Sequence, residues 1–258
     1  MITTPGRQPG YVTTESQGNT MAGNSSLEAA ELRHESKTTQ ASPARDFPPA
    51  SKSFEQKVIA LCHRIESVID APAGRIICVA GMQTTAQGFT YTYELARQAS
   101  QQLGKRVLVI STYGSGFSDQ VLRSGVVRGW AKALESGEVP LQSIVELRTP
   151  AISVSQLNGS AEDVARIAAS PALKEIFEKL RKAYDLVLID TPSMSESMDA
   201  ELLAPAADGI ILIVDAGASR WQVMRRKVEE LMSRQVNVAG VVLNKRRHYI
   251  PNFIYNKL

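Results

Sequence analysis

Three short stretches of this chain carry residue types suited to phosphate and metal chemistry. The first, 81–90 (GMQTTAQGFT), lies between a strand-like run and a helix-like run. A loop that cradles phosphate needs glycines so that backbone N–H groups can curl around the anion. It also needs a Lys for the outer phosphates and a Ser or Thr for Mg²⁺. Gly88 and Thr90 fit the end of that pattern as nucleotide contacts, and Thr90 is also a candidate Mg²⁺ ligand. Phe89 stands where the Lys belongs, and the middle of the loop has bulky or branched side chains instead of glycines. The second stretch is Asp190-Thr191-Pro192, behind an apolar run. Asp190 suits Mg²⁺ coordination through water, or it caps the turn that follows. If the chain is active, Asp190 is the residue to which catalysis falls. The third is Asn244, at the end of the last apolar run. It is placed to bond a purine edge or to satisfy loop backbone groups.

These residues need a scaffold, and hydrophobic periodicity supplies one. Phe54, Val58, Leu61, Ile65 and Ile69 recur at helical spacing over 53–69, with Ser53 as the expected cap. Residues 70–74 (DAPAG) break that helix, and Arg75–Gly81 (RIICVAG) reads as a buried strand. A helix is expected over 91–103, closed by Gly104. Strands are expected at 106–111, 184–190, Gly209–Asp215 and 237–243, with helices at 172–182 and 221–234. Apolar strands alternating with helices imply an α/β fold, a parallel sheet with helices on both faces. Ligands bind outside the carboxyl ends of such strands, which is where the three stretches fall.

The 258 residues accommodate one α/β domain over 51–258. Residues 1–50 are rich in Thr, Ser, Gly, Gln and Pro and show no sustained period, so the expectation is a disordered tail dispensable for folding. Limited proteolysis should then leave a core starting near Ser53. A net charge of +3 gives no ground for nucleic-acid binding. Cys62 and Cys78 have no metal-ligand spacing, and Cys78 reads as a small buried hydrophobe. No signal pattern or membrane-length apolar run is seen, so the expected location is cytoplasmic, with any membrane association made through a partner or a surface patch. Arg225-Arg226-Lys227 and residues 245–248 (KRRH) read as solvated faces, Trp130 and Trp221 as packing residues. His34 and His63 have no nucleophile arranged around them.

An ordered set of landmarks resembles the bacterial tyrosine kinases of capsular and exopolysaccharide assembly, the Wzc cytoplasmic domain and CpsD-like proteins. It comprises 103–110 (LGKRVLVI), 170–173 (SPAL), 180–192 (LRKAYDLVLIDTP), Asp199-Ala200, Ala207-Asp208-Gly209, 241–244 (VVLN) and 249–255 (YIPNFIY). The resemblance covers roughly 53–258 and implies a P-loop NTPase-like sheet, with Asp190 ending the Walker B strand. Against that family, Phe89 replaces the phosphate-loop Lys, and Ser111 and Tyr113 replace the two aspartates after the second strand. The C-terminal tyrosine cluster is reduced to Tyr249 and Tyr255, the remaining candidate phosphorylation sites. The first helix lacks the family's regular oligomerisation pattern, although Glu55 and Arg64 are positioned to serve a similar purpose in a homo-oligomer.

The resemblance therefore implies a pseudokinase-like, non-catalytic subunit that regulates polysaccharide polymerisation. Its partner would be a membrane copolymerase of Wzz type, holding it peripherally at the inner membrane. The alternative is an active ATP-dependent tyrosine autokinase or ATPase of the same pathway, with ATP and Mg²⁺ as its cofactors.

Overall fold

The computed structural model describes residues 37–39, 52–71, 73–84, 88–113, 130, 134, 144–148, 151–157, 161–217 and 220–244. Eight strands form one sheet in the order β1-β4-β5-β3-β6-β2-β7-β8. They are β1 (Lys37–Thr39), β2 (Arg75–Gly81), β3 (Val107–Ser111), β4 (Ile144–Arg148), β5 (Ala151–Gln156), β6 (Leu186–Thr191), β7 (Gly209–Asp215) and β8 (Val238–Asn244). The helices are α1 (Lys52–Val68), α2 (Gly88–Leu103), α3 (Ala161–Ala169), α4 (Ala172–Ala183), α5 (Asp199–Leu203) and α6 (Trp221–Ser233).

β2, β6 and β7 are buried almost throughout, because helices cover both faces of the sheet. One core face packs Ile76, Leu108, Val187 and Leu212 against Phe177, Leu180 and Leu231 of the helices. The other packs Ile77, Val109, Leu188 and Ile211 against Val58 and Ile65 of α1 and Leu95 and Ala99 of α2. Gly104 closes α2 at φ 62°, a left-handed position that suits Gly. Gly74 is required for a different reason: a Cβ there would sit 1.8 Å from the Tyr184 carbonyl oxygen.

At the amino ends of the strands, Asp208 ties three elements together. Its Oδ2 accepts the Ile76 N–H (2.7 Å), its Oδ1 accepts Arg181 of α4 (2.8 Å), and its carbonyl accepts Asn237 ahead of β8 (3.2 Å). Nearby, Arg106 grips Asp185 with a guanidinium–carboxylate contact of 2.6 Å.

The expected elements are present, joined by β4, β5, α3 and α5, which were not expected, and with four further differences. The sheet is parallel except for β4 and β5, which pair antiparallel. Only two residues separate them, too few for the crossover that parallel neighbours need. α2 begins three residues earlier than its periodicity indicated, so Gly88, Phe89 and Thr90 lie in its first turn. Ser53 falls one residue inside α1 rather than ahead of it. Lys37–Thr39, inside the segment expected to be disordered, adds a parallel edge strand beside β4, opposite Val145, Glu146 and Leu147. The rest of 1–50 lies outside the described residues.

Candidate functional site

The strand order brings the carboxyl ends of β6, β2, β7 and β8 side by side, with the start of α2 following β2. Asp190, next to last in β6, and Asn244, last in β8, lie on strands three places apart, roughly 14 Å at the usual strand spacing. Adjacent residues of α2 reach both. The Tyr91 hydroxyl donates to Asn244 Oδ1 at 2.5 Å, and the Thr92 hydroxyl donates to Asp190 Oδ1 at 2.7 Å. Asn244 Nδ2 in turn donates to Asp215 Oδ1 at 2.8 Å. Asn244 is thus bonded to side chains, where the sequence had offered loop backbone or a purine edge. Burial and the nearby Asp215 carboxylate both push the Tyr91 hydroxyl above its usual range.

Asp190 is wholly buried, paired in register with Val79 of β2 and Ser111 of β3. Burial pushes its carboxyl up to about 7, against the opposing pull of hydrogen bonds from Thr92 and Tyr113. Its Oδ2 has no hydrogen-bond partner among the described residues. Asp190 does not cap the turn through its side chain; its carbonyl accepts the Thr112 N–H at 2.9 Å.

A second buried carboxyl, Asp199 at the start of α5, accepts the Thr112 hydroxyl at 2.7 Å and the Ser197 hydroxyl. Ser111 donates its hydroxyl to the Tyr113 carbonyl at 2.8 Å. The loop after β2 is held at its start: the Met82 N–H donates to the Ile213 carbonyl (2.8 Å), and Gln83 Oε1 accepts the Asp215 N–H (3.2 Å). The layer of polar groups at these strand ends is therefore largely closed by bonds within the protein.

The residues present do not fit Mg²⁺ and ATP well. No group of three or more His, Cys, Asp or Glu able to hold a metal occurs among the described residues. The carboxyl that would approach the ion is buried and weakly acidic, and the first turn of α2, Gly88-Phe89-Thr90, contains no Lys.

Sequence reasoning brought Asp190 and Asn244 to the same end of the sheet but missed Thr92, Thr112 and Asp199. A signal for Thr92 was available. With Ala96 and Ala99 it lies on the buried stripe of α2, and a polar residue on such a stripe needs an internal partner. Gly88 and Thr90 lie at the start of α2 as expected of a phosphate-loop end; Tyr249 and Tyr255 lie outside the described residues.

Other readings fall out plainly. Cys62 and Cys78 are both buried and free. Burial, helped by Glu66, pushes the Cys62 thiol up to about 11, and burial alone pushes Cys78 up to about 12. Trp130 is a packing residue whose indole donates to Ser155 (3.0 Å). Trp221 is not: it is exposed, with the Arg225 guanidinium 5.7 Å from its ring centroid. The reason is its position on a helix flank that no other described element covers. Glu55 pairs within the chain to Arg97 (2.8 Å), whereas Arg64 is exposed.

This architecture is a P-loop NTPase-like α/β fold. The kinase domain of the Escherichia coli tyrosine kinase ETK superposes with a TM-score of 0.65 at 18% identity, covering 83% of this chain and 91% of that one. The chimerical protein CapA2B2 also gives 0.65, at 17% identity over 82% of this chain and 94% of that one. In sequence, the tyrosine-protein kinase CpsD of Streptococcus agalactiae serotype III is 24% identical over 181 residues, 69% of this chain and 78% of its own length. The succinoglycan biosynthesis transport protein ExoP of Rhizobium meliloti is 34% identical over 79 residues, 31% of this chain and 10% of its own. No protein-family model matches the chain. The chain is thus similar in sequence to tyrosine-protein kinases of CpsD type and in fold to bacterial tyrosine kinase domains.

Proposed function

We propose that the protein works in bacterial capsule or exopolysaccharide biosynthesis and export as a pseudokinase-like regulatory subunit, without phosphoryl transfer of its own. The pathway assignment rests on the names of the relatives, CpsD and ExoP. The observation that carries the non-catalytic reading is the closed polar layer. Thr92 bonds Asp190, Thr112 bonds Asp199, and Tyr91 bonds Asn244, so a nucleotide must break contacts before it makes any.

Phosphoryl transfer depends on positioning and on cationic stabilisation of charge spread over phosphate oxygens. Phe89 brings neither charge nor donor. A hydrogen bond to a charged group is worth roughly 1.5–3 kcal/mol, so losing the Lys alone weakens phosphate binding about ten- to a hundredfold. Ser111 cannot replace an aspartate as a base at neutral pH. The subunit acts instead through binding, at the inner membrane, to a copolymerase with a short cytoplasmic segment. α1 and the basic face near Arg225 are the candidate contacts. No described helix is long and apolar enough to cross a membrane.

One observation favours the alternative, an active autokinase: Asp190 Oδ2 is buried without a hydrogen-bond partner among the described residues, as a metal-approaching oxygen would be. ATP turnover decides between the two. Purified protein should show no Mg²⁺-dependent turnover above an Asp190→Ala control. Turnover in wild type that this variant lacks would install the autokinase reading. The partner assignment predicts co-purification with membranes, lost when the copolymerase is deleted.

A further inference from the structure

The free edge of the sheet carries an apolar shelf that nothing covers among the described residues. β8 is the last strand in the order, and Val241 and Leu243 on it are 46% and 54% exposed. They pair with Leu212 and Val214, which puts them on the sheet face shared with α6, where Leu231 is buried and Val228 packs. α6 has two flanks. Lys227 and Arg234 turn inward to Glu201 of α5, at 2.5 and 3.4 Å. At 100° per residue, Trp221, Arg225 and Met232 lie on the opposite flank, toward the β8 edge. Trp221 is 57% exposed and Met232 61%. α6 starts after the carboxyl end of β7, the end of the sheet at which Leu243 lies on β8, and Met232 follows Trp221 about three turns further along the helix. Several large apolar side chains exposed at one edge of a sheet mark an interaction surface.

The occupant is suggested by where the chain goes next. The described residues stop at Asn244, beside Leu243, and the chain continues with 245–258. That stretch holds Tyr249, Ile250, Phe253, Ile254 and Tyr255, an apolar density that a solvated tail does not need. Fully extended it reaches about 45 Å, against about 20 Å for the length of α6. Tethering at Asn244 gives the segment a high local concentration at the shelf.

We propose that the strip formed by Trp221, Met232, Val241 and Leu243 is the docking surface for the chain's own segment 249–255, bound in cis. The proposal is independent of whether the polar layer turns over nucleotide.

Two experiments on the full-length protein test it. Trp130 is buried, so iodide quenching of tryptophan emission reads Trp221. Wild type should resist quenching, and the double variant Phe253→Ser/Ile254→Ser should quench severalfold more strongly. Equal quenching as a free indole in both proteins overturns the proposal. So does protection that scales with protein concentration, which means a second copy, or that appears only with anionic phospholipid vesicles, which means a membrane. The second experiment uses Met232→Cys/Ile254→Cys, since both native cysteines are buried. Mild oxidation should give an intramolecular disulfide in the monomer; only intermolecular bonds, or none, overturns the assignment.

Discussion

Around Asp190, polar side chains are buried and bonded to one another, whereas along β8 and the outer flank of α6, apolar side chains are left exposed by the described residues. The two regions make opposite demands on a ligand. At the centre, a newcomer must displace internal hydrogen bonds, and each buried group left unpaired costs about 1–3 kcal/mol. At the edge, a partner breaks nothing and gains about 25 cal/mol for each Å² of apolar surface it covers. Recognition is easier at the rim of this sheet than in the cleft where related folds hold nucleotide.

That contrast can be broken at the centre first. Asp199→Ala leaves the buried Thr112 hydroxyl and the Ser197 hydroxyl without their acceptor. We expect a loss of about 3 kcal/mol in urea unfolding; a loss below about 0.5 kcal/mol would mean that the polar layer does not hold the structure together.

Asp190→Asn comes next, and its sign depends on pH. The folded carboxyl titrates near 7 and the unfolded one near 3.8, so between these values the folded state binds more protons. Stability from this group therefore falls as pH rises through that window and stays low above it. The Asn variant can still accept from Thr92, carries no charge, and should exceed wild type by up to about 4 kcal/mol at pH 8. The difference should shrink toward pH 4. A variant that parallels wild type at all pH values would mean that Asp190 is ionised cheaply, as expected of a site built for a cation.

At the edge the expected effect is smallest. Leu243→Ser should change the unfolding free energy by no more than about 0.5 kcal/mol in the absence of the docked segment. A larger loss, removed by the Phe253→Ser/Ile254→Ser background, would show in the same measurement that the shelf is covered in cis.

Much of the centre was legible in the sequence. β2 and β7 were bounded to the residue, because runs such as GIILIVD are apolar on both faces and can only be buried parallel strands. Asp190 and Asn244 stood out for the same reason, as polar residues ending apolar runs. β4 and β5 did not. Their alternation is diluted by the buried polar residues Ser153, Ser155 and Gln156, and Thr149-Pro150 is not a common two-residue hairpin turn. The roles of Thr112 and Asp199 were hidden because they lie 87 positions apart and meet only through the order of the strands. Exposure of Trp221 was equally hidden: its helix has an ordinary apolar stripe, and that flank is open because no described strand lies beyond β8.

The three-residue strand at the other end of the sheet bears on solubility. Lys37–Thr39 supplies hydrogen-bond partners to the outer side of β4. A protein cut back to residue 52 would keep the buried centre and should unfold at nearly the same urea concentration. It would, however, present the ladder groups of β4 to any neighbour, and an unpaired edge is a template for pairing with another chain. The shortened protein should thus match full length when dilute and self-associate sooner as it is concentrated, which light scattering across a concentration series would reveal.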